Sequence, residues 1–92
     1  MTRIVHATIL TVLDGDQELY EQLQQQGLVP QDEETLRPAH VEVARVTQTL
    51  VRELDINWAG VEVVLRLRSE LHETRKQLAQ LQTQLAEHRA KR

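Results

Sequence analysis

The chain has 92 residues, enough for one compact domain or for a smaller core with a projecting helix. It contains no cysteine, which excludes disulfides, thiolate metal sites and a cysteine nucleophile. Its formal net charge is −3 and 40% of its residues are apolar, yet Phe is absent and Trp and Tyr occur once each, so any core is built from aliphatic side chains.

The opening MTRIVHATILTVL combines an early Arg with an apolar stretch, as a secretory leader does. His6, Thr8 and Thr11 interrupt it and it lacks a small-x-small cleavage site, so the expected location is cytoplasmic. No apolar run reaches the roughly 18 residues of a membrane span. Ile4 to Leu13 is rich in β-branched residues and precedes the turn signal Asp14-Gly15-Asp16, which favours a short strand over a poorly formed first helix. Asp16 is suited to cap a helix running to about Gln26, with Leu19, Tyr20 and Leu23 on its apolar side. Gly27 then stands where a left-handed residue ends a helix, and Leu28 can fold back on the last turn.

Val29 to Arg37 reads as a loop containing Pro30 and the acidic run Asp32-Glu33-Glu34. Pro38 fits a first helical position, and the helix it opens is expected to reach about Leu54. Val43, Val46, Leu50 and Leu54 supply its apolar stripe at three- and four-residue steps, broadened by Val41, Ala44 and Val51. Asn57 is suited to cap the next helix, which places Ile56 and Val61 at the two positions of a hydrophobic staple. No Pro or Gly follows Gly60, so this helix can run close to the C-terminus.

The final helix carries a heptad pattern. Val64, Leu71, Leu78 and Leu85 recur every seven residues, and Leu67, Thr74, Leu81 and His88 fill the complementary positions. Six of these eight are aliphatic, which predicts dimerisation through Val64, Leu67, Leu71, Leu78, Leu81 and Leu85. The polar, basic tail from Glu87 to Arg92 suits the end of a helix electrostatically.

Signs of catalysis are missing from the sequence. The four histidines, His6, His40, His72 and His88, never pair at a helical ligand spacing, and the three glycines are isolated rather than gathered in a phosphate loop. Ser69 is the only serine and falls inside the predicted long helix. The expectation is a protein without enzymatic activity, metal or cofactor.

The segment Leu54-Asp55-Ile56-Asn57-Trp58-Ala59-Gly60-Val61-Glu62-Val63-Val64-Leu65-Arg66-Leu67 resembles the junction before the coiled coil in the MerR-like family. The closest likeness is to its chaperone modulators of the CbpM type. Leu19 through Pro30, ending in Gly-Leu-Val-Pro, resembles the end of that family's recognition helix, and the two matches cover most of residues 16–85. Ile4–Asp16 departs from the pattern. The resemblance implies a mostly α fold. Residues 1–56 would form a degenerate, winged helix-turn-helix domain opened by a short strand or helix, and residues 57–92 a long coiled-coil helix. It also implies that Trp58 packs at the junction of the last two helices.

Two functions follow from the resemblance. MerR-type relatives bind promoter DNA as dimers joined by an antiparallel coiled coil. CbpM-type relatives bind the J-domain of a DnaJ-like co-chaperone and restrain its action on Hsp70. Charge favours the second. Between Ile4 and Leu36 there are seven carboxylates and no Lys or Arg, whereas DNA affinity rests largely on cations that neutralise phosphates. A basic partner helix, such as the J-domain presents, suits Asp14, Asp16, Glu18 and Glu21, with apolar help from Tyr20 and Leu28. The same carboxylates also suit an ordinary solvated face. A coiled-coil scaffold with no chaperone link stands as a third reading. Glu70 and Arg75 would pair in a parallel dimer, while the resemblance implies an antiparallel one, so strand direction stays open.

Overall fold

The computed structural model describes residues 3–91. Met1, Thr2 and Arg92, which open the leader-like stretch and close the basic tail, lie outside the described residues. Four helices follow one another: α1 (His6–Val12), α2 (Gln17–Gln25), α3 (Pro38–Gln48) and α4 (Trp58–Ala90). Among the described residues there is no strand, and no helix is long and apolar enough to cross a membrane.

The N-terminal segment corrects the strand favoured above: from His6 to Val12 it is helical. Only the approach is extended, with Val5 at φ −121° and ψ 168°. Thr8 Oγ1 accepts from the Val5 N–H at 3.3 Å, and the Glu33 carboxylate accepts from the His6 N–H at 3.0 Å. A lone strand would leave its backbone groups without a ladder, whereas the helix satisfies them locally and turns Ile9 and Leu13, both fully buried, to one side. Tertiary packing outweighs the β-branched composition.

Two matched stops fix the lengths of α1 and α2. Asp14 is left-handed at φ 56°; Gly15 N–H donates to Leu10 C=O at 2.8 Å and Asp14 N–H to Thr11 C=O at 3.1 Å. Gly27 repeats the geometry at φ 74°, with Leu28 N–H donating to Leu23 C=O at 3.0 Å and Gly27 N–H to Gln24 C=O at 3.0 Å. This is the Schellman arrangement, and it brings Leu28 back towards the core beside Leu23. Between the stops, Asp16 caps α2 by accepting from the Leu19 N–H at 3.0 Å.

The chain up to Val61 forms one compact unit. Its centre is Ile9, Leu13, Leu19, Tyr20, Leu23, Val29, Leu36 and Ala44, with Trp58 among the half-buried residues packed against them. Burying each large aliphatic residue contributes roughly 1.5–3 kcal/mol. The face of α3 that enters this core shares Val41, Val43, Ala44 and Val51 with the stripe read in the sequence and adds Thr47. Ala44 and Thr47 are buried, Val41, Val43 and Val51 are half-buried and pack against the core, Val46 and Leu50 are half-buried, and Leu54 is exposed. A π-helical turn over Thr49–Glu53 continues α3. It spreads an extra residue over one turn, so later side chains rotate off the stripe.

Asp55, left-handed at φ 54°, and the Ile56 N–H donating to Leu50 C=O at 2.8 Å close α3 and redirect the chain. Asn57 Oδ1 then accepts from the Gly60 N–H at 2.8 Å and starts α4. Ile56 and Val61 flank this cap as the predicted staple, with Val61 fully buried. A Cβ at Gly60 would meet Ile56 Cγ2 at 2.6 Å, so the staple needs glycine there. The second unit begins at Glu62 and consists chiefly of the rest of the 33-residue α4, which ends at Ala90.

Candidate functional site

The acidic residues singled out in the sequence separate into two sets. Asp16 is already engaged. Besides capping α2 it receives a two-pronged contact from Arg52, Nε to Oδ2 at 2.8 Å and Nη2 to Oδ1 at 3.3 Å. The same Nη2 donates to Glu18 Oε1 at 3.4 Å. Arg52 thereby ties the start of α2 to the π turn, and its hydrogen bond, helped by the Leu19 N–H, holds the Asp16 carboxyl below its usual range. Nothing local in the sequence signals this pair, because its partners lie 36 residues apart.

Asp14 and Glu21 are exposed, and the Glu18 side chain remains 73% exposed despite Arg52. These three present their charge to solvent. In the acidic loop, Asp32 accepts from the Glu34 N–H at 3.0 Å and starts the single 3-10 turn Glu33–Thr35. Glu33 is spent on the first turn of α1, where a carboxylate meets unpaired N–H groups. A large part of the acidic run thus has structural work within the fold.

Tyr20, expected to help anchor a partner, does not lie at the surface. It is 5% exposed, its hydroxyl bonds to His6 Nδ1, and the two rings stack at a tilt with centroids 5.6 Å apart. Burial first, and the nearby Glu33 charge second, push its phenol above the usual value. Leu28 is half-buried through its role in the α2 stop. Among the described residues of this unit, the large apolar side chain left exposed is instead Leu54, at 58%. Its neighbours Glu53 and Asp55 are exposed as well.

In the second unit the heptad residues Leu67, Leu71, Leu78, Leu81 and Leu85 are each 48–61% exposed, and Val64 is half-buried. Thr74 and His88 share the seam and are exposed. Among the described residues no cluster of His, Asp or Glu could hold a metal ion. A cleft lined by Ile4, Leu36 and Pro38 with Arg3, Arg37, Glu33 and Glu34 contains none of the six expected partner-binding residues. Comparison with protein-family models, with curated proteins and with solved structures finds no match for this chain.

Proposed function

We propose that this protein is a chaperone modulator that binds the J-domain of a DnaJ-like co-chaperone and so regulates its action on Hsp70, acting as a homodimer through α4. The observation that carries the reading is charge: residues 1–61 hold ten carboxylates against four arginines, and Asp14, Glu18 and Glu21 are solvent-facing around α2. A surface of this kind attracts a basic helix and raises its rate of encounter. It repels a DNA duplex, which counts against the alternative of a MerR-like transcriptional regulator. The exposed leucine seam of α4 is the surface assigned to self-association, since apolar stripes of this length seldom stay in water.

A calorimetric titration against the J-domain, at low and moderate salt, tests the proposal. The expected result is micromolar or tighter binding that weakens with salt. It is lost in an Asp14→Asn, Glu18→Gln, Glu21→Gln variant that keeps the wild-type melting curve. Asp16 is left intact because it caps α2. Equal binding by the triple variant would sink the electrostatic basis of the reading, and salt-sensitive DNA binding would favour the regulator instead.

A further inference from the structure

We propose that α4 pairs with α4 of a second copy in parallel and in register, against the antiparallel direction that the resemblance implies. The inference rests on the self-association assigned to α4 above, and it takes the direction from the edges of the seam and from its two polar positions.

The edges differ in charge. With Val64 at heptad position a and Leu67 at d, position e holds Arg68, Arg75, Gln82 and Arg89, while position g, on the other edge, holds Val63, Glu70, Gln77 and Gln84. All eight are exposed. Arg68 and Arg75 line a shallow groove with Leu71 and His72, so the arginine edge lies directly against the seam. Neither Arg68, Arg75 nor Arg89 has a carboxylate three or four residues away on its own helix. Among the described residues no ion pair forms within α4.

Direction decides what meets this edge. In a parallel pair, g of one helix faces e of the other five residues on, so Glu70 meets Arg75 of the second copy, twice by symmetry. Val63 and Gln84 then lie against Arg68 and Arg89, and no like charges meet. An antiparallel pair sets e against e and g against g. Arginine edge then faces arginine edge, and Glu70 meets no cation.

The seam residues point the same way. Pairing in parallel puts like with like: Thr74 meets Thr74, His88 meets His88, and six of the eight layers are wholly aliphatic. Pairing antiparallel with full overlap sets Thr74 against Leu78 and His88 against Val64, and only four layers stay aliphatic. Sliding by a heptad in either direction never exceeds four. A polar group facing an apolar one across a buried seam loses water without gaining a partner, whereas two hydroxyls can bond each other.

The test uses the full chain, whose lack of cysteine makes single thiols informative. Leu81→Cys alone, oxidised in a glutathione buffer, should form a disulfide-linked dimer in high yield. Mixed with Leu71→Cys it should give no mixed dimer, because only the antiparallel layer brings these two positions together. A spin label on Ala90→Cys leaves the seam untouched. It should report two labels separated by little more than the width of the pair, against an axial offset of about 40 Å if the helices oppose. Sedimentation of Arg75→Glu should show a dimer weakened roughly fivefold, and Glu70→Arg with Arg75→Glu should restore it. Mixed cross-links, distant labels or a tighter Arg75→Glu dimer overturn the parallel pairing and leave the homodimer standing. A wild type that sediments as a monomer throughout overturns the homodimer itself, and this pairing with it.

Discussion

The two units treat the same amino acid in opposite ways. Leu13, Leu19 and Leu23 in the first unit are completely shielded, whereas Leu71, Leu78 and Leu85 in the second are about half exposed. Composition alone does not separate them. Position in a three-dimensional neighbourhood does: α1, α2 and α3 converge on one centre, while the second unit is one continuous helix. The first unit therefore draws stability from its own chain, and the second has apolar area still to bury.

The sharpest way to break this comparison is a pair of truncations. Leu19→Ala should cost about 2–5 kcal/mol in urea unfolding of the compact unit, since the site is fully enclosed. Leu71→Ala, measured in dilute protein, should stay within about 0.5 kcal/mol, and its effect should emerge as concentration rises and copies associate. Equal costs at high dilution would show that the seam is covered by its own chain.

Gly60→Ala comes next. Helix propensity would return roughly 1 kcal/mol, but the new methyl collides with Ile56, so a net loss of about 1–2 kcal/mol is expected. Adding Ile56→Val, which keeps the offending Cγ2, should not relieve the loss, whereas Ile56→Ala should recover the clash component. A net gain from Gly60→Ala alone would show that the junction is loose.

Thr47→Val should stabilise the fold by about 1 kcal/mol, because the Thr47 hydroxyl is buried without a hydrogen-bond partner. Thermal melting reads this directly. The smallest effect belongs to Asp16→Asn, which retains an N-cap and removes one charge. A carboxyl depressed in the fold contributes stability above its unfolded pKa of 3.8 and loses it as pH falls through the lower folded value. Wild type and variant should therefore differ at neutral pH and converge in acid, with the gap reduced by added salt.

Much of this was legible in the sequence where local chemistry decides. Asp16, Gly27, Pro38 and Asn57 each mark a helix end where such residues belong, and each end lies there or within a residue. Reading failed where distant partners decide. Ile4–Leu13 has the composition of a strand, but no strand pairs with it and Glu33, far along the chain, supports a helix start. Thr47 is missing from the stripe read for α3, although Val41, Val43, Ala44 and Val51 of that stripe do pack on the core, because a polar residue is discounted when apolar periodicity is counted. Tyr20 read equally well as anchor or as core until its hydroxyl found His6. Of the acidic face, the charge was visible, but its partial neutralisation by Arg52 depended on the π turn, which no residue pattern announces.

That turn acts as a phase setting for everything after it. Each residue of an α-helix advances the side-chain direction by about 100°, so deleting one residue from Thr49–Glu53 would let α3 run on as ordinary helix. Chain length would hardly change, but Leu54 would swing by that angle, and Arg52 would lose its line to Asp16. A single extra residue thus governs, as a vernier does, which side chains the end of α3 shows to the outside.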